Sequence, residues 1–182
     1  MLKETEALLT QFSLDVISKA KATAPVSSGA LKDSLDYEIV ITDDTIAVEF
    51  LSEDYGTFQD KGVQGKDPSK IKGGYQKAPN SPYKFGSGSG SNGTLRGGID
   101  KWVIRKGLTG IRNKKGQFVK RKSLVYAISK SIYFTGLRPT LFFTKPFERE
   151  QRKLKRGLEK ALALDYENEI KIRLIDNNIT VV

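Results

Sequence analysis

Between Leu8 and Ala20 the apolar residues Leu8, Leu9, Phe12, Val16, Ile17 and Ala20 recur at steps of three and four, and the pattern halts at Ala24-Pro25. That spacing lines one side of a helix over about residues 2–21. A proline disfavours helix in the residue before it, so Ala24 ends the element. An apolar stripe of this kind is stable only when another surface covers it, and the rest of the chain must supply that surface.

The chain restarts at once. In the stretch Lys21 to Leu35, Ser27 or Ser28 can cap a short new turn whose Leu31 and Leu35, four apart, share a face. The segment Pro25 to Gly29 therefore reads as a hinge between two packed pieces. Beyond it Tyr37, Ile39 and Ile41 alternate with Glu38, Val40 and Thr42, and Ile46, Val48 and Phe50 alternate after Asp43-Asp44. Alternation on both sides of a polar turn predicts a β-hairpin. Because an isolated hairpin is marginal, the first helix is expected to cover one of its faces.

From Ser52 to Gly98 no periodicity persists, and Pro68, Pro79, Pro82 and the run FGSGSGSNGTLRGG at 85–98 fall here. This predicts a long Gly/Ser/Pro-rich loop region, with a helical turn at 54–59 presenting Tyr55 and Phe58 together. A helix is expected from Gly98 to about Lys106, with Ile99, Trp102 and Val103 on one face and Gly107 as its stop. Residues 108–122 read as a basic hairpin or loop around Lys115-Gly116. A further helix over Ser123 to Thr135 would turn Leu124, Ala127, Ile128, Ser131 and Ile132 inward and end at Gly136. Residues 137–143 look extended. A last helix opens at Lys145-Pro146, buries Phe147, Leu154, Leu158 and Leu162, and continues through Ile170 and Leu174 to a short tail at 176–182.

Together these elements predict an α+β fold in a single domain, 1–182. It would hold an antiparallel β-sheet flanked by an N-terminal helix and a long C-terminal helix, with long inserted loops. At 182 residues and 38% hydrophobic content the chain can bury a core of its own. No apolar run is long enough to cross a bilayer, and the N-terminal Lys3, Glu4 and Glu6 do not make a secretion signal, so the expected site of folding is a cytoplasm.

The absence of cysteine and histidine weighs against chemistry. It leaves no disulfide, no thiolate or imidazole metal ligand, and no imidazole base. The carboxylate pairs Asp43-Asp44, Glu53-Asp54 and Glu148/Glu150 have structural explanations at turns and at a helix start. The string Gly88-Ser89-Gly90-Ser91-Asn92-Gly93 matches a dinucleotide-binding pattern in letters, but it lacks the strand–helix–strand setting that gives the pattern its meaning. Neither catalytic residues, nor a cofactor, nor a metal site are assigned.

Charge is unevenly distributed: residues 1–95 sum to −3, residues 96–160 to +15 and residues 161–182 to −2. A block this basic can meet phosphates, meet an acidic protein surface, or remain a solvated face. Candidate contacts with a partner or a second subunit are Tyr55, Phe58, Lys114, Lys115, Lys120, Arg121, Lys122, Phe142 and Phe143. Phe118 is the one aromatic within the basic segment, fewer than a base-stacking surface usually carries, so a solvated turn with Phe118 tucked beneath it explains the segment at least as well as a nucleic-acid hairpin.

The order of pieces resembles a known family. The first helix ending in Ala24-Pro25, the Ser28-Gly29-Ala30-Leu31 restart, the hairpin, and Asp54-Tyr55-Gly56-x-Phe58 with Lys61-Gly62 come first. Ile99-x-x-Trp102 with Lys106-Gly107-Leu108 follows, then Gly136-x-x-Pro139, Phe142-Phe143 and Pro146-Phe147 before a terminal helix. This succession, over most of residues 3–165, resembles the head–tail joining and tail-completion proteins of tailed bacteriophages.

The resemblance implies a small α+β subunit without catalytic residues. It implies a homo-oligomeric ring, hexamer or dodecamer, in the virion neck or tail, assembled in the host cytoplasm. Its neighbours would be neck, connector or tail-tube proteins, with DNA met only in transit and no membrane. The longer 60–98 loop and the extra 108–122 segment depart from the family pattern, and both suit contacts with adjacent rings. Since phosphate attraction would retard DNA in a strongly basic lumen, the basic block is expected to face outward or along the axis. The alternative is a cytoplasmic nucleic-acid-binding module using the basic 96–160 face.

Overall fold

In a computed structural model of the chain, the described residues are 2–42, 45–87, 93–108, 111–112 and 114–176, the side chains of 93–94 and 169–176 excepted. Among the described residues, besides a 3-10 turn at Pro68–Lys70, the elements follow in order: α1 (Lys3–Thr23), α2 (Ala30–Ser34), β1 (Asp36–Ile41), β2 (Ile46–Leu51), α3 (Gly56–Lys61), β3 (Val63–Gln64), α4 (Gly93–Arg105), α5 (Arg121–Thr135), β4 (Gly136–Leu137) and α6 (Thr144–Asp176). The fold is α+β, with antiparallel strand pairs and long helices at both ends of the chain. Where the sequence suggests one domain, contacts divide the chain into two compact units. Unit 1 comprises 1–24, 34–52 and 142–182, and unit 2 comprises 25–33 and 53–141. The Ala24-Pro25 break is thus where the chain first leaves unit 1.

Unit 1 answers the demand made by the first stripe. Phe12, Val16, Ile17 and Ala20 of α1 are buried, and the helix closes at Ala24, whose N–H still reaches the Ala20 carbonyl before the backbone turns extended. β1 and β2 pair antiparallel with Tyr37 opposite Phe50, Ile39 opposite Val48 and Ile41 opposite Ile46. Side chains alternate across a strand, so these three pairs share one face, which is inner at Tyr37, Ile39, Val48 and Phe50 and leaves Ile41 exposed beside the turn. Phe50 meets Phe12 edge-on at 6.1 Å, Phe143 at 5.2 Å and Phe147 at 5.9 Å, and Phe12 meets Phe147 at 5.9 Å. Edge-on pairs of this kind contribute about 0.5–1.5 kcal/mol each beyond the area they bury. The turn residues Asp43 and Asp44 lie outside the described set.

Two carboxylates bind α6 to α1. Asp165 accepts the backbone N–H of Glu4 at 2.8 Å, the N–H of Thr5 at 2.9 Å and the Thr5 hydroxyl at 2.8 Å. These amides belong to the first turn of α1, where helical N–H groups have no partner of their own. Residue Leu2 at the N-cap has no side-chain oxygen to offer, so α6 supplies the missing cap. Farther along, the buried Glu150 meets Lys19 of α1 at 2.8 Å and Lys153 at 2.7 Å. Between them Gly157 lies against Leu8, where a Cβ would come within 3.2 Å of a methyl group. The inward stripe of α6 therefore mixes Phe147, Leu154, Leu158 and Ala161 with two anions.

Unit 2 is held differently. β3 and β4 pair over Val63–Leu137 and Gln64–Gly136, and the segment expected to be a loose loop is bonded onto them. Gln64 N–H donates to Tyr83 carbonyl, Phe85 N–H to Gln64 carbonyl, Lys66 N–H to Tyr133 carbonyl and Lys77 N–H to Thr135 carbonyl. The Gln76 amide accepts from Gly65 N–H at 2.6 Å and donates to Gly65 carbonyl at 3.1 Å, and the Ser81 hydroxyl donates to Gly62 carbonyl at 2.7 Å. Residues 53–87 thus form an ordered strap, whereas 88–92, the centre of the Gly/Ser run, lie outside the described residues. α4 begins at Gly93, five residues before the expected start. α5 buries Val125 and Ser129 while Ala127 is exposed, so its inward face is rotated from the expected one.

The stretch before α6 is a second correction. Leu141 adopts a left-handed φ of 53° and turns the chain, so Phe142 and Phe143 sit in a turn rather than on a strand. Helix α6 then starts at Thr144, with residues 177–182 outside the described set.

The Asp165 carboxyl would be raised by burial, but the amides of Glu4 and Thr5 and the Thr5 hydroxyl hold it below the ordinary aspartate range. The Glu150 carboxyl is likewise lowered, by hydrogen bonds from Lys153 and then Lys19 that outweigh desolvation. Folded carboxyls that release protons more readily than unfolded ones stabilise the fold above their unfolded pKa, about 4, and lose that contribution as pH falls through the lower folded value. A Glu150→Gln/Asp165→Asn double variant is expected to melt well below the native chain near neutral pH, with the gap closing progressively under about pH 4. A melting difference independent of pH would contradict this account.

Gly136 supplies a second check, having φ of 92° and a Cβ position that would strike the Val63 carbonyl. Gly136→Ala is expected to cost on the order of 3 kcal/mol or more and to speed hydrogen exchange at Gln64, Lys66 and Lys77. Gly73→Ala, equally left-handed but with open space around the new methyl, should cost about 1–2 kcal/mol. Equal effects at the two glycines would show that close packing at Gly136 is unimportant.

Candidate interaction surface

The basic block does not form one surface of one unit. Residues 93–141, in unit 2, carry twelve Lys and Arg against the single Asp100, while residues 142–160, on the α6 side of unit 1, carry seven against three acids. Of the net +15, +11 therefore belongs to residues 93–141, which hold α4, the 108–122 segment and α5, and +4 to α6.

The described residues of the 108–122 segment form a hairpin, one of the two readings its sequence allows. Arg112 and Phe118 bridge antiparallel, Val119 N–H donates to Ile111 carbonyl at 2.8 Å, and Gly116 supplies a left-handed turn at φ 75°. The tucked Phe118 of the solvated-turn reading is not found: its side chain is 65% exposed. The Arg112 guanidinium lies over its ring at 4.3 Å and also donates to the Gly116 carbonyl at 3.1 Å. The pairing recurs between the helices, where Arg96 of α4 stacks over the exposed Tyr126 of α5 at 5.0 Å. Sequence reasoning missed Tyr126 because only α4–α5 packing brings it beside Arg96. The i, i+1 spacing of Val125 and Tyr126 was the available signal, since one of two neighbours on a helix must face outward.

Of the residues singled out from sequence, Lys114, Lys115, Lys120, Arg121 and Lys122 are all exposed on this lobe, and Arg121 pairs with Asp100 at 3.1 Å. Tyr55 and Phe58 are also exposed, at the start and middle of α3, with Phe58 edge-on to Tyr83 at 4.6 Å. Phe142 and Phe143 are corrected. Phe142 is buried and Phe143 is half-buried in the Phe50 cluster, so both serve the core of unit 1 rather than an open anchor.

The remaining chemistry is structural. Glu150 is committed to two lysines and Asp165 to the start of α1. The buried Ser129 hydroxyl has no hydrogen-bond partner among the described residues, and the chain has no histidine to activate it. Among the described residues no group of three or more acidic, histidine or cysteine side chains could hold a metal ion, and no helix is long and apolar enough to cross a membrane. Gly93 does open a helix, but the strands around it are an antiparallel pair and an isolated bridge at Lys84, not the parallel unit that a dinucleotide loop requires. Compared with protein-family models, curated proteins and solved structures, the chain matches none.

Exposed cations separated from the core contribute little to stability. Lys114→Gln, Lys120→Gln and Lys122→Gln together should therefore shift stability by no more than about 0.5 kcal/mol per site, read by chemical denaturation. A larger loss would make the lobe's charges part of the fold rather than a surface.

Proposed function

We propose that the chain is a structural subunit of a tailed-phage particle, acting at the neck or tail junction by forming a ring that completes the tail or joins it to the head. The observation that carries the reading is the division of labour among the residues. Several of those that carry the family resemblance build the two units: Pro25 and Gly29 shape the turn out of α1, Gly62 and Gly136 permit the β3–β4 contact, and Phe143 and Phe147 fill the Phe50 cluster. Unit 2 also carries an exposed basic and aromatic lobe that suits a neighbour better than a reaction. No catalytic role is assigned to any residue.

A second reading is favoured by one observation, the pairing of Phe118 and Tyr126 with arginines inside a lobe that has one acid. This is the composition of a nucleic-acid surface. One fact supports the first reading over it: a guanidinium already occupies one face of each ring, which reduces the area left for base stacking.

Sedimentation of the purified chain over a wide concentration range, at low and moderate salt and with or without DNA, separates the two. Concentration-dependent assembly indifferent to DNA is the expected result, together with location at the neck or tail end of particles by labelled electron microscopy. A monomer that binds DNA in a salt-sensitive way would replace the first reading with the second.

A further inference from the structure

We infer that the basic lobe of one copy docks on the outer face of the β1–β2 hairpin of a second copy. This rests on the ring-forming reading and names the surfaces that would close it. On β1 and β2 the inner face is fixed by Phe50, so Asp36, Glu38, Val40, Ala47, Glu49 and Leu51 point outward. Glu38 lies directly opposite Glu49, and both are exposed.

Like charges placed opposite one another on paired strands oppose the pairing. Sequence could have relieved this with one lysine, as in many exposed hairpins, and did not. Within unit 1 no ion pair or hydrogen bond is formed by either carboxylate among the described residues, whereas the nearby Asp36 accepts from Tyr37 N–H at 2.8 Å. Beside the two acids stands Leu51, 46% exposed, so the face is acidic and partly apolar.

The lobe has the complementary makeup. Arg112, Lys114, Lys120 and Lys122 are exposed around Phe118 and Ile111, with Asp100 the only acid between residues 93 and 141. An anion face with an apolar edge and a cation face with an apolar centre match in charge and in composition. The two surfaces differ, so their contact is head-to-tail, and repeated contacts of that type close into rings or extend into filaments. The lobe's cations then meet a copy of the same chain, rather than a ring above or below.

The test uses three full-length variants whose folding is checked by circular dichroism. One carries Glu38→Lys and Glu49→Lys, one carries Lys114→Glu, Lys120→Glu and Lys122→Glu, and one carries all five. Each partial swap should lower the apparent association constant by about tenfold or more, while the combined swap, or a mixture of the two partial swaps, recovers association. Raised salt should weaken the native assembly.

A native chain that assembles equally well with either swap would overturn the docking surface and leave the ring reading standing. A native chain that never assembles would overturn both. If the lobe swap abolishes binding of a labelled DNA duplex while the hairpin swap leaves assembly unchanged, the lobe belongs to nucleic acid and the inference fails.

Discussion

The apolar stripe of α1 must be covered, and the chain covers it with pieces from far apart in sequence. Phe12 reaches Phe50 of the hairpin and Phe147 of α6, and Phe50 in turn reaches Phe143. Removing any of these rings would open the core at a place where helix, hairpin and terminal helix all meet. Truncating a buried Phe to Ala costs about 3–5 kcal/mol in general, a large share of the stability of a small domain. The two buried carboxylates serve the same clamp. Asp165 caps the helix whose stripe the rings cover, and Glu150 holds the other end of α1 through Lys19.

Unit 2 relies less on side-chain volume and more on backbone bonding. Its strap is tied by the Gln76 amide, the Ser81 hydroxyl and amide pairs to Tyr133 and Thr135, with glycines where neighbouring backbone leaves no room for a methyl. Such a scaffold can present α4, the 111–119 hairpin and α5 with Lys114, Lys120 and Lys122 left exposed. Exposed lysines, and carboxylates placed against each other on another element, suit the assembly proposed above. The proposed function and the proposed contact both draw on that arrangement.

The local elements were legible because their signals are local. Period and proline fixed α1 and its end, alternation fixed the hairpin and its inner face, and Gly116 marked the basic turn. The long-range ties were not. Asp165 and Thr5 are separated by 160 positions, and no pattern along the chain links a carboxylate to so distant a helix start. The strap at 53–87 read as a loop because its order comes from irregular backbone and side-chain bonds to distant residues, which leave no periodicity. Paired glycines at 97 and 98 hid the first turns of α4, and the left-handed Leu141 sent Phe142 and Phe143 inward where a strand would have exposed one of them. The lobe's charge was visible from composition, but the stacking of Arg96 on Tyr126 needed the α4–α5 packing to appear.

The most direct measurement is carboxyl-to-amine cross-linking of an equal mixture of ordinary and nitrogen-15-labelled chains, read by mass spectrometry. The account predicts mixed-isotope links joining Glu38 or Glu49 to Lys114, Lys120 or Lys122. Links confined to single-isotope pairs, or none from those carboxylates in an assembled sample, would contradict it.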